Sequence, residues 1–171
     1  MEEKLREFFE SNFKDALVRE DNFRGQQSFY IKREHLVDVC QALQTDTDLE
    51  FKFLSDITSL DWLGDLYEKE GRFEVIYNLF SLKHKYRFFV KVRLPEDDPV
   101  IDSLTSLWMT ANWLEREVND LMGIEFTGHP DPRKILTPDD LEGHPLRKDF
   151  PLTYEVPQFS FNKDEPPEVI L

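Results

Sequence analysis

"RFEVIYNLFSLKHKYRFFVKVRLP", residues 72–95, decides the fold class. Phe73, Val75, Tyr77 and Leu79 alternate with Glu74, Ile76, Asn78 and Phe80, and Tyr86, Phe88, Val90, Val92 and Leu94 alternate likewise, against Lys85, Arg87, Lys91 and Arg93. A period of two puts one set on each face of a strand, so both runs predict strands with one apolar and one polar face. Antiparallel strands open to water on one side show this alternation. The short link around "KHK" predicts a hairpin, with His84 at its turn as a surface residue.

Upstream, "LEFKFLSDITSLDW" predicts a further strand with Leu49, Phe51 and Phe53 on one face. Leu36, Val39, Cys40 and Leu43 recur at helical spacing and predict a helix over about 33–45. "QQSFYIKR" is a short strand after the turn at Gly25, and Leu5, Phe8, Phe9 and Phe13 mark an amphipathic helix over 2–13. Downstream, "DDPVIDSLTSLW" predicts a helix with Asp98 as N-cap and Pro99 at its first position. "NWLEREVNDLMG" predicts another: Asn112 caps it, Glu115 completes a capping box, and Gly123 takes the left-handed C-terminal position. Its apolar stripe is Leu114, Val118, Leu121 and Met122. These elements make an α+β fold class: an antiparallel or mixed sheet with helices on one face, spanning residues 1–127.

After Gly128 the periodicity stops, and eight of the ten prolines fall in residues 128–171. Proline withholds backbone donors and forbids continued helix. So long a stretch without regular elements is either disordered or ordered against another surface. Ile135, Leu136, Leu141, Leu146, Phe150, Leu152, Tyr154, Phe159 and Phe161 favour the second, because a solvated tail lacks such anchors. Residues 128–171 therefore read as an extended arm.

Thirty-five acidic residues against 21 basic ones give a formal charge of −14, which speaks against nucleic acid and against direct binding of anionic lipid. One cysteine, Cys40, on the buried face of its helix, allows no internal disulfide and no cysteine-based zinc or iron–sulfur site. A reducing compartment follows. "MEEKLREFFE" has no apolar core of a secretory signal, and no window has the roughly 20 apolar residues a membrane helix requires. Any membrane location must come through a partner.

Candidate chemistry is sparse. Glu117 and Asp120 lie one helical turn apart, so both carboxylates project together, which would suit an acid–base pair in a small hydrolase. The spacing of Arg116 and Asp120 equally suits an ordinary surface ion pair. His129 and His144, each between Gly and Pro, do not reach the three or four rigid ligands a divalent metal needs.

"ANWLEREVNDLMGIEFTGHPDPRKIL", residues 111–136, resembles the signature of the 30 kDa subunit family of NADH:quinone oxidoreductases, the C-type chain of bacterial respiratory complex I. The matching positions are Glu115, Arg116, Glu117, Asp120, Leu121, Met122, His129, Arg133, Ile135 and Leu136. "EGHPLRKDFPL", residues 142–152, resembles the family's second stretch, with His144, Arg147, Lys148 and Phe150. Asn119 departs from the aromatic residue common there, which would loosen one contact of the helix. The ending at Leu171 reads as the free-standing form of the protein, not one fused to its larger neighbour.

The resemblance implies a subunit without catalytic, cofactor or metal residues of its own, with FMN, iron–sulfur clusters and quinone on partner chains. It implies the large quinone-site subunit (D type) and neighbouring iron–sulfur subunits of the hydrophilic arm as partners. The place implied is the cytoplasmic side of the bacterial cell membrane, reached only through the complex. Residues 128–171 would wrap the large partner, with Arg133, Lys134, Arg147 and Lys148 pairing either with partner carboxylates or with Glu115 and Glu117. Related membrane-bound hydrogenases, reduced-F420 dehydrogenases and photosynthetic dehydrogenases have an equivalent subunit, and that is the nearest rival reading.

Overall fold

The computed structural model describes residues 1–152. In chain order the elements are α1 (Glu2–Asn12), β1 (Leu17–Phe23), β2 (Gln26–Ile31), α2 (Leu36–Thr45), β3 (Phe53–Asp61), β4 (Phe73–Ser81), β5 (Tyr86–Leu94), β6 (Val100–Asp102), α3 (Ala111–Met122) and β7 (Glu125–Thr127). Short 3-10 turns precede α2 at Arg33–His35 and β4 at Leu66–Glu70. Five strands form one sheet in the order β1-β2-β5-β4-β3, and β6 pairs with β7 alone. β4 and β5 run antiparallel from Phe73 opposite Leu94 to Ser81 opposite Tyr86, the hairpin expected from the alternation. β2 lies parallel to β5, which makes the sheet mixed.

One face of the sheet is the core. Phe29, Ile31, Val75, Tyr77, Val90 and Val92 meet Leu5 and Phe9 of α1 and Leu36, Val39, Cys40 and Leu43 of α2, all of them buried. Phe9 stacks on Phe29 at 4.2 Å between ring centroids. Burial drives the Cys40 thiol pKa far up, so it is an inert core group.

Several expectations are corrected. β1 carries too many charges to show an alternation, yet it pairs with β2 from Leu17 to Phe23 as an edge strand. Leu49 and Phe51 are buried ahead of β3, whereas Phe53 opens the strand on the other face, opposite Phe80 and half exposed. Residues 100–102 are a strand rather than a helix. The β-branched Val100 and Ile101 pair with Glu125 and Phe126, the Pro99 carbonyl accepts the Glu125 N–H, and Asp98 is held by Arg33 at 2.6 Å. The second sheet face is not uniformly wet either: Glu74 is fully buried between Lys91 at 3.3 Å and Arg93 at 2.9 Å. His84 is half-buried, its ring bonded to the Asp48 carbonyl.

Candidate functional site

α3 is amphipathic, with Ala111, Val118 and Met122 in the core. Its N-cap is Thr110, not Asn112, and no side chain closes a capping box there. Glu115 does not turn back to cap the helix. It is wholly buried, accepting the Ser103 hydroxyl at 2.6 Å and the Leu104 N–H at 2.7 Å. It therefore ties α3 to the segment after β6. Desolvation raises its pKa, against the opposing pull of those two donors.

The helix ends at Gly123, with φ of 67°, at the position expected to be left-handed. Asn119 helps to close that end: its carbonyl accepts the Gly123 N–H at 2.8 Å, and its side chain donates to the Ile124 carbonyl at 2.9 Å. The Asn119 side chain thus makes a contact of its own at the end of the helix.

Asp120 is 2% exposed and organises the segment beyond the helix. Its Oδ2 accepts the N–H groups of Ile135, Leu136 and Thr137 at 3.0, 2.8 and 2.9 Å, and its Oδ1 accepts the Thr137 hydroxyl. Desolvation pushes its pKa upward, but the Thr137 hydroxyl and the three amides outweigh it and hold the carboxyl down at about 2. Successive amides that converge on one carboxylate form a nest, and here the anion is built into the chain.

Arg116 works beside it, donating to the carbonyls of Arg133 and Lys134 at 2.9 and 3.1 Å. Its ion pair is with Asp131, at 3.8 Å, and the expected pair with Asp120 does not form. The ring of His129 bonds the Asn112 carbonyl through Nε2 at 3.0 Å and accepts the Asp131 N–H at Nδ1. Those two contacts assign the proton to Nε2. Arg133 pairs with Asp131 through both Nε and Nη2 at 2.7 Å, and Lys134 donates to the carbonyls of Pro138 and Leu141.

The second stretch returns to the C-terminus of the same helix. His144 Nδ1 bonds the Asp120 carbonyl at 2.9 Å, the Leu146 N–H donates to the Leu121 carbonyl, and Arg147 donates to the carbonyls of Met122 and Gly123. A guanidinium over the last carbonyls of a helix meets both orphan acceptors and the negative end of the dipole. Lys148 reaches further, its N–H to Asp61 at 2.9 Å and its ammonium to the Leu63 carbonyl at 3.0 Å. The Phe150 ring lies over Gly143.

Arg72 collects the far end. Its side chain is 2% exposed and it binds Asp61 at 2.9 Å, Glu96 at 2.6 Å and Asp149 at 2.8 Å. Asp61 also stays at about 2: desolvation raises it, but Arg72 and the N–H groups of Lys148 and Leu63 prevail. Sequence patterns do not single out Ser103, Asp61, Arg72, Asp131, Thr137 or Asp149. Only Arg72 leaves a trace there, as a charge at the start of a strand whose following residues are apolar.

None of Arg133, Lys134, Arg147 and Lys148 pairs with Glu115 or Glu117 among the described residues. Glu117 is exposed while Asp120 is buried and filled with donors, so they do not share a site as an acid–base pair would. Among the described residues no group of three His, Cys, Asp or Glu side chains is placed to hold a metal, and no helix is long and apolar enough to cross a membrane. Tyr154, Phe159 and Phe161 lie outside the described residues.

Residues 29–156 match the family model of the respiratory-chain NADH dehydrogenase 30 kDa subunit. This chain belongs to that family. It is 47% identical over 150 residues to the NADH-quinone oxidoreductase C subunit of Roseiflexus sp. (strain RS-1), covering 88% of this chain and 84% of that one. The C subunit of Geobacter sulfurreducens is 46% identical over 87% of this chain and 86% of its own. Among solved structures, a trypsin-resistant fragment (1–134) of Nqo5 superimposes with a TM-score of 0.66 at 38% identity, covering 75% of this chain and 98% of that fragment. A chain of an archaeal membrane-bound sulfane sulfur reductase has the same fold, with a TM-score of 0.72 at 24% identity over 88% of this chain and 85% of that one. The matched range takes in α3 and the segment that folds back on it.

Proposed function

We propose that this 30 kDa family member is a structural and assembly subunit in the peripheral arm of a proton-translocating NADH:quinone oxidoreductase, without an active site of its own. It stands next to the large quinone-site subunit and the iron–sulfur subunits, at the cytoplasmic face of a bacterial cell membrane. FMN, iron–sulfur clusters and quinone reside on those partners, and electrons pass from NADH to quinone through them.

One observation carries this reading. The signature residues Glu115, Arg116, Asp120, His129, His144 and Arg147 spend their polar atoms on bonds that tie α3 to its surroundings and shape residues 128–150. Side chains so engaged build a surface; they do not wait for a substrate. On that surface the segment leaves Leu136, Leu146 and Leu152 exposed, and Trp113 and Met109 of the α3 region are exposed as well. Exposed large apolar groups and a Trp backed by an arginine, here Arg116 at 5.4 Å from the ring centre, are the features of a protein interface core. Residues 128–171 are the part that lies against the large partner.

Co-expression with the large quinone-site subunit tests this. The pair is expected to co-purify, and residues 128–171 are expected to be cut by trypsin more slowly in the pair than in the chain alone. Equal cleavage in both states contradicts the reading. Glu117→Gln is expected to leave both assembly and electron transfer unchanged.

A further inference from the structure

A groove of about 680 Å³ lies at the other side of the sheet from α3. Val18 and Arg19 of the edge strand β1, Tyr30 of β2, Lys32 beyond it, and Arg93 and Pro95 at the end of β5 are among its walls. α3 packs on β3, which is the opposite edge of the five-stranded order. A partner on α3 therefore leaves this groove open.

The groove holds donors that the fold does not exhaust. Lys32 is exposed, and among the described residues no acceptor meets its ammonium. Arg19 lies 3.9 Å from the centre of the Tyr30 ring and bonds Glu70 at 3.0 Å, and a guanidinium has more N–H donors than these contacts use. Arg93 is nine-tenths buried and is spent on Glu74 through Nη2. Arg33 is already committed to Asp98. In a chain with 35 acidic and 21 basic residues, the wall brings four cations together; three of them hold carboxylate partners, and Lys32 has none among the described residues. The lip is apolar, with Val18 61% exposed.

We propose that this groove receives an extended, acidic peptide segment from a neighbouring subunit of the complex, with carboxylates on Lys32 and Arg19 and an apolar side chain against Val18 and Pro95. Guanidinium groups take carboxylates in a planar, two-bonded geometry, and charge complementarity of this kind selects the partner and speeds its encounter. Together with α3 the groove makes the chain an adaptor held from two sides. The inference rests on the subunit reading proposed for the whole chain.

The test places a photoreactive p-benzoylphenylalanine at position 18 of the full chain and irradiates the purified complex. The expected product is an adduct with a neighbouring subunit, mapped by mass spectrometry to a segment holding at least two Asp or Glu residues next to an apolar one. Lys32→Glu is expected to weaken association with that neighbour about tenfold at low salt, and the difference is expected to shrink in about 0.5 M salt as the charges are screened. Absence of an adduct overturns the proposal, and so does an adduct to a neutral or basic segment, to a second copy, or to the chain's own C-terminal residues. A complex that does not form even with the unaltered chain overturns the subunit reading and this inference together. One that forms without the adduct overturns this inference alone.

Discussion

Asp120 shows how one buried side chain shapes the segment beyond α3. One carboxylate answers three consecutive amides and a hydroxyl, so its replacement strands four donors at once. Asp120→Ala is expected to cost ~2 kcal/mol, the scale of losing charged hydrogen bonds at a mostly buried position. The pH dependence has a definite sign. A carboxyl held at about 2 in the fold, below its ordinary value near 4, stabilises fully above pH 4, and that stabilisation is lost as pH falls towards 2. The gap in melting temperature between the wild type and Asp120→Asn should therefore narrow over that interval, as a pair of thermal titrations would show. Gly123 makes a second residue-scale prediction. With φ at 67° and His144 and Arg147 packed where a Cβ would sit, Gly123→Ala combines backbone strain with a clash. A loss of about 1–2 kcal/mol is expected from the strain, measurable by urea unfolding, and a compensating shift of the His144 ring would show in its NMR resonances.

Among the elements, the apolar periodicities place α1, α2, α3, β4 and β5 close to where they lie, because each buries one face against the core. β1 escapes a sequence reading because an edge strand with four charged or amide side chains in seven residues has little to bury. The Asp98-Pro99 pair points to a helix, and pairing with β7 wins over the local cap signal. Glu115 fits a capping box by spacing, but Ser103 and Leu104 supply donors from another part of the chain. The segment 128–150 is legible in composition and not in conformation, since side-chain bonds to backbone carry no period. Its last clasp is Arg72 on Asp149. Asp149→Asn should let residues 147–150 exchange amide hydrogen faster while β4 and β5 remain protected, a pattern that hydrogen-exchange mass spectrometry resolves. Removing Arg72 instead is expected to cost more, because Asp61 would remain buried at 2% exposure without its cation.

At the scale of the molecule, an acidic α+β domain holds a proline-rich strap along its signature helix, and the same strap carries exposed leucines. The family to which the chain belongs, the engaged signature side chains and the exposed Trp113 and Leu136 all agree with a subunit that organises contact between others. The most direct measurement is the affinity of the full chain for the large quinone-site subunit, compared between the wild type and Asp120→Asn at a temperature where both are folded. A fall of about tenfold or more, with circular dichroism of the domain unchanged, is the predicted result, because the strap would no longer be presented in its bound shape. An unchanged affinity, with residues 135–137 shown by hydrogen exchange to have come loose, would contradict the account.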